Sequence, residues 1–141
     1  MGLHFSKEEF SNRKEKTLNS MKNEGVDALI MFRQESMYWL TGYDTFGFVF
    51  FQALVLDQRG NVVLLTRAPD LRQAQNTSNI SDIRIWVDKD GANPADDLKI
   101  ILDELNLKGK KIGVEYEAYG LTGRNALRLN TVLKNYCSIE D

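Results

Sequence analysis

The stretch Ala28-Leu29-Ile30-Met31-Phe32 is a short, unbroken apolar run that directly follows an aspartate. A run of this length predicts a strand that is buried on both faces of a sheet. The segment before it begins with a capping box from Ser6 to Glu9 and ends at Gly25, which is typical of a helix. A helix followed by a buried strand begins an alternating α/β pattern.

The remainder of the chain continues this alternation of helix and strand. Further strands are predicted at residues 48–56, 62–66, 83–87 and 111–115, and an extended segment begins at 137–141. Helices are predicted at 36–40, from 69 to about 75, from 94 to about 107, and after Thr122. The turn at 57–60 predicts a hairpin, whereas intervening helices predict parallel strands. We therefore expect an α/β fold with a mixed, mostly parallel sheet flanked by helices.

The last two predicted helices each have an apolar face. The spacing of the first face is regular, and its residues are Leu98, Ile101, Leu102 and Leu105. The second face is less regular, and its residues are Leu127, Leu129 and Leu133. Both faces are expected to pack against the sheet.

Composition limits the classes of protein to consider. The chain has 141 residues, 43% of them hydrophobic and 27% charged, which suits one domain with its own core. A net charge of −2 provides no bulk attraction to nucleic acid or to an anionic membrane. The longest apolar run, residues 46–56, is interrupted by Gln52 and is shorter than the about 20 residues that cross a bilayer. We expect a cytoplasmic protein without a nucleic-acid or membrane partner.

The sequence contains none of the common catalytic motifs. The phosphate-binding loop, the dinucleotide fingerprint and the hydrolase serine elbow are missing from the sequence. One cysteine and one histidine exclude a zinc site of the usual kind. Asp27 precedes its predicted strand and Glu115 ends its own, so parallel strands would place them at opposite edges of the sheet. We therefore predict no catalytic residue, no metal ligand and no cofactor in this chain.

The most unusual segment is the aromatic stretch from Tyr43 to Phe51. Alternation along a strand would place Phe46, Phe48 and Phe50 on one face of the sheet. One interpretation is a central strand that is packed on both sides. The other is an aromatic ridge that contacts a partner or a ligand.

Several stretches resemble a known family. They are residues 3–10, the stretch Gly-Val-Asp-Ala-Leu at 25–29, Ser-Met-Tyr-Trp-Leu-Thr-Gly-Tyr-Asp at 36–44, Gly-Val-Glu at 113–115 and Tyr-Gly-Leu-Thr at 119–122. In their order and spacing they resemble the N-terminal domain of the creatinase, prolidase and aminopeptidase P superfamily. The resemblance covers nearly the whole chain and is strongest toward the ectoine-hydrolase-like and creatinase-like branch.

The resemblance implies that residues 1–141 are the non-catalytic, ribonuclease-H-like N-terminal domain of a longer hydrolase. The catalytic "pita-bread" domain is then expected after Asp141. In most members that domain binds two divalent metal ions, such as Mn, Co or Zn, although creatinase works without metal. The parent is expected to cleave peptide or other C–N bonds, whereas this segment alone is expected to be inactive.

The resemblance also implies partners and a site. The parent is expected to form a homodimer in which this domain covers the active site of a neighbouring subunit, where a small peptide or amide is bound. In creatinase a Phe and an Arg two residues later reach toward the substrate, and these positions correspond here to Phe48 and Phe50. The Arg is therefore not kept, which makes creatine a poor candidate substrate. The residues expected on the capping surface are Tyr43, Asp44, Phe46, Phe48 and Phe50.

Two alternatives stay open. The chain could be a stand-alone module that binds a small molecule or a protein and has lost the catalytic half. It could also use its ribonuclease-H-like sheet as a nuclease does, which requires a divalent metal held by carboxylates on adjacent strands.

Overall fold

The computed structural model describes residues 2–141, in which helices alternate with strands except at the β-hairpin in the middle of the sheet. The helices are α1 (Lys7–Glu24), α2 (Gln34–Thr41), α3 (Leu71–Thr77), α4 (Pro94–Glu104) and α5 (Gly123–Leu133). The strands are β1 (Ala28–Met31), β2 (Ala53–Asp57), β3 (Val62–Arg67), β4 (Asp82–Trp86), β5 (Lys111–Val114) and β6 (Ser138–Glu140). A 3₁₀ turn, Ala68–Asp70, leads into α3. No helix within the described range is both long enough and apolar enough to cross a membrane.

The six strands form one mixed sheet in the order β4-β3-β2-β1-β5-β6. Strand β2 runs antiparallel to β1 and to β3, and the other three pairings are parallel. The β2–β3 hairpin and the mostly parallel α/β sheet that the sequence predicts are therefore confirmed. The extended segment at the end of the chain is β6, which pairs with β5.

The sheet has a hydrophobic cluster on each face. Along β2, Ala53 and Val55 join the cluster that contains residues of α4 and α5. Leu54 and Leu56 point the other way and join the cluster that contains residues of α1, α2 and α3. All four side chains are fully buried, as expected for a strand covered on both faces.

The predicted helix ends are also found. The Ser6 hydroxyl accepts a hydrogen bond from the backbone N–H of Glu9 at 3.1 Å. Gly25 ends α1 in the left-handed conformation, with φ of 70°, which glycine adopts without a steric penalty. The Thr122 hydroxyl accepts a hydrogen bond from the backbone N–H of Asn125 at 3.3 Å, and α5 begins at Gly123, directly after this cap. Local sequence therefore sets these boundaries.

The strand predicted from residue 48 is wrong in its first half, because β2 begins only at Ala53. Before it, the chain turns, and the backbone N–H of Phe50 donates to the carbonyl of Gly47 at 2.9 Å. The side-chain amide of Gln52 is buried and donates to the same carbonyl at 2.6 Å. These bonds satisfy the Gly47 carbonyl and the Phe50 N–H within the loop, without a sheet ladder.

The predicted inner face of α5 is wrong at one position. Leu129 and Leu133 are buried one helical turn apart, whereas Leu127 is 71% exposed. Two residues along an α-helix correspond to a rotation of about 200°, so Leu127 lies on the side opposite Leu129.

This pair provides a matched test of the core. Leu129→Ala should lower the free energy of unfolding by about 2–5 kcal/mol, because it removes buried methyl groups and leaves a cavity. Leu127→Ala should change it by no more than about 0.5 kcal/mol. Urea denaturation followed by circular dichroism measures both values, and equal losses would contradict the assignment of the inner face.

Candidate functional site

Three exposed phenylalanines lie within one connection, residues 43–50 between α2 and β2, called here the aromatic loop. Phe46 is 82% exposed, Phe48 39% and Phe50 40%. Asp44 is exposed too. Tyr43 is fully buried, so the structure places it beneath the loop and not on its surface. Four of the five residues predicted for a capping surface are therefore accessible together, and the fifth supports them.

A buried polar network holds the aromatic loop from below. The Tyr43 hydroxyl donates to Gln52 Oε1 at 2.6 Å. The other end of that amide donates to the carbonyl of Gly47 and to Thr45 Oγ1, at 2.6 and 3.0 Å. Burial raises the pKa of Tyr43, which keeps its hydroxyl protonated as a donor. The network makes the loop a fixed part of the structure.

Only glycine fits at position 47, because two side chains approach its backbone closely. A Cβ atom at this position would lie 2.6 Å from Asp70 Oδ2 and 2.7 Å from Gln52 Nε2. The Asp70 carboxyl is itself buried. Burial raises its pKa, and the Arg67 guanidinium, 3.7 Å away, acts in the opposite direction. The loop therefore closes tightly over the end of β3 and the turn after it.

Two contacts outside the loop orient its exposed rings. The guanidinium carbon of Arg67 lies 3.4 Å from the centroid of the Phe50 ring, in a cation–π contact. The Phe48 ring meets Tyr119 edge to face, with centroids 6.0 Å apart. Sequence reasoning missed Arg67 and Tyr119. Both are remote from the loop along the chain, and no local pattern connects them to it.

A crevice of about 420 Å³ opens beside the aromatic loop, at the carboxyl ends of β1 and β5. The residues that line it are Phe32, Arg33, Gln34, Glu35, Phe48, Glu117, Ala118 and Tyr119. Its walls thus combine aromatic rings with charged side chains. The combination is suited to binding a small molecule or the end of a peptide.

The carboxylates near the strand ends lie apart from one another and bind different parts of the backbone. Asp27 Oδ2 accepts from the backbone N–H of Lys111 at the start of β5, whereas Glu115 follows the end of that strand. The prediction that these two lie at opposite edges is confirmed. Asp57 is buried and accepts from the backbone N–H groups of Arg59 and Asn61 in the β2–β3 turn. Within residues 2–141, no three His, Cys, Asp or Glu side chains are grouped so that they could hold a metal ion.

Two curated proteins resemble the chain in sequence. An uncharacterized hydrolase/peptidase of Sinorhizobium fredii is 30% identical over 140 residues, which cover 94% of this chain and 36% of that protein. The ectoine hydrolase of Halomonas elongata is 32% identical over 90 residues, or 64% of this chain and 21% of that protein. The chain thus spans about a third of the length of the first relative, and its match to the second spans about a fifth.

Comparisons of structure and family agree with these relatives. A prolidase of Thermococcus sibiricus superposes with a TM-score of 0.75 at 16% identity, covering 93% of this chain and 34% of that one. That likeness shows the fold. The sequence model of the Creatinase/Prolidase N-terminal domain family matches residues 13–141. The ordered motifs, the mixed sheet and this match lead to one conclusion: the chain belongs to the Creatinase/Prolidase N-terminal domain family.

Proposed function

We propose that the chain is the N-terminal part of a metal-dependent peptidase or amidohydrolase, and that it covers the active site of a neighbouring subunit with the aromatic loop. It also contributes to the dimer of that enzyme. Two divalent ions, Mn, Co or Zn, are then bound by a catalytic domain beyond these residues. The described residues contribute no ligand cluster of their own, so every step at the metals is assigned to that domain.

The observation that carries this proposal is the exposure of three phenylalanines on a loop that is held rigidly. Exposed aromatic clusters on a folded surface mark sites of interaction. The Tyr43–Gln52 network already fixes the backbone of the loop. Covering a ligand therefore costs little conformational entropy, which favours binding.

The chemistry of the surface supports a small amide or dipeptide as the substrate. An apolar cap excludes water from a hydrolytic site and thereby strengthens the electrostatic interactions inside it. Phe50 stands where the creatinase-like pattern has an arginine. Its ring is instead stacked on the Arg67 guanidinium, which the carboxylates of Asp70 and Asp88 already approach at 3.7 and 3.8 Å. A substrate carboxylate would have to compete with these two groups.

The names of the curated relatives point in the same direction. One is a hydrolase/peptidase and the other hydrolyses ectoine, a small molecule. We therefore propose that the substrate is a small peptide or another small amide. Selection among them is assigned mainly to the catalytic domain.

The first test is the mass of the protein in its native source. An antibody to this domain should detect a species of about 45 kDa, the mass obtained when the 16.1 kDa of this chain is 36% of the whole. A species of 16.1 kDa would contradict the proposal and favour a stand-alone binding module.

The second test removes the most exposed ring in the full-length enzyme. Phe46→Ala should raise KM by about fivefold or more, because an aromatic contact with a ligand contributes about 1 kcal/mol. The free energy of unfolding should stay within about 0.5 kcal/mol of wild type, since Phe46 is 82% exposed. Leu127→Ala, which removes an apolar side chain of α5 that is 71% exposed, is the control and should leave KM unchanged. An unchanged KM in a folded Phe46→Ala enzyme would contradict the proposal that the aromatic loop caps the active site.

The third test concerns the rigidity of the loop. Gly47→Ala should lower the free energy of unfolding by about 1–3 kcal/mol, because the new methyl group must displace Asp70 or Gln52. Gly123→Ala is the matched control. Gly123 opens α5 and no atom lies within 4 Å of a Cβ there, so this change should not lower the free energy of unfolding and should raise it by up to about 1 kcal/mol. Thermal or urea unfolding measures both, and equal effects would show that the loop adapts freely.

A further inference from the structure

The crevice beside the aromatic loop lies at a reversal of the sheet topology. Strands β1 and β5 are parallel neighbours. Helix α2, which follows β1, packs on one face of the sheet, and α5, which follows β5, packs on the other. In open α/β sheets, the carboxyl ends of two such strands frame the usual position for a ligand. The 420 Å³ crevice opens at this point.

A carboxylate of the chain itself lies at the entry to α2. The backbone N–H groups of Phe32 and Arg33 there already donate to Glu115 Oε1, both at 3.1 Å. The other oxygen of that carboxylate accepts from the hydroxyl of Ser36 at 2.6 Å. The chain's own carboxylate thus occupies the position where a helix terminus would attract a phosphate or carboxylate.

The charged groups that line the crevice leave a negative balance. Arg33 Nε and Glu35 Oε2 are 3.1 Å apart and compensate each other. Glu117 lines the same crevice and forms no ion pair with any residue from 2 to 141. The crevice therefore carries one uncompensated carboxylate.

The aromatic walls of the crevice also favour a positively charged ligand. The rings of Phe48 and Tyr119 meet at an interplanar angle of 71°, and Tyr119 is 77% exposed. An aromatic face attracts an organic cation through the quadrupole of the ring. Two such rings beside a free carboxylate form a partial aromatic cage.

We propose that this crevice binds the alkylammonium group of a small ligand, and that in the full-length enzyme the ammonium is that of the substrate. The assignment to the substrate rests on the proposed function, whereas binding of the cation is a property of the chain itself. Phe48 then contributes a wall of the crevice, while Phe46, which does not line it, covers the active site.

The test is a titration of the ¹⁵N-labelled 141-residue chain with tetramethylammonium chloride at constant ionic strength, followed by amide chemical shifts. Saturable shifts are expected at residues 32–35 and 117–119, with a dissociation constant of about 10–100 mM, which the titration can saturate. The neutral isostere tert-butanol should produce no saturable shift there. Shifts that stay linear with tetramethylammonium, or that tert-butanol reproduces, would overturn the proposal.

Variants distinguish binding in the crevice from nonspecific attraction of the cation to surface carboxylates. Glu117→Gln and Tyr119→Ala should each raise the dissociation constant by about two- to fivefold. Both side chains are exposed, so folding should be retained. Glu15→Gln makes the same change of charge on α1, which does not line the crevice, and should have no effect. Equal weakening by Glu15→Gln and Glu117→Gln would contradict a specific site.

The tetramethylammonium titration and the Phe46→Ala kinetics test separate proposals, so either can fail without the other. If tetramethylammonium fails to bind while Phe46→Ala raises KM in the full-length enzyme, the ammonium site is wrong and the capping role stands. If the cation binds and Phe46→Ala leaves KM unchanged, the crevice is a ligand site without a capping loop.

Discussion

The buried amide of Gln52 is the interaction on which the surface of this domain depends. Its oxygen accepts from the Tyr43 hydroxyl, and its nitrogen donates to Gly47 and Thr45 of the aromatic loop. A buried amide that satisfies both ends is stable inside a protein, whereas one left unpaired is costly. The loop is therefore bound to the core at the residue just before β2, and its phenylalanines are held in solvent.

Two half-buried carboxylates stabilise the β1–β5 pair in a similar way. Asp27 accepts from the first residue of β5, and Glu115, just after that strand, accepts from the residues that follow β1. Each carboxylate thus stabilises one end of two adjacent parallel strands. Because Glu115 occupies the start of α2, the crevice beyond it is left with aromatic walls and the free carboxylate of Glu117.

Much of the fold could be predicted because its signals are local. The caps Ser6, Gly25 and Thr122, the apolar run of β1 and the turn between β2 and β3 each depend on a few adjacent residues. The resemblance in the ordered motifs also led to the family that the comparisons show. The start of β2 could not be predicted, because the apolar run at 46–56 extends across the loop and the strand alike, and no local signal marks where the ladder begins.

By itself, the sequence determined the α/β class, the order of its elements and the family, since hydrophobic periodicity and capping chemistry act over one turn of helix or one strand. Only the tertiary structure decided which aromatic rings are exposed. Their environment is set by Arg67, Asp70 and Tyr119, which approach the aromatic loop from other parts of the chain. Packing between distant segments leaves no local pattern, and for that reason the crevice and its charge became visible only in three dimensions.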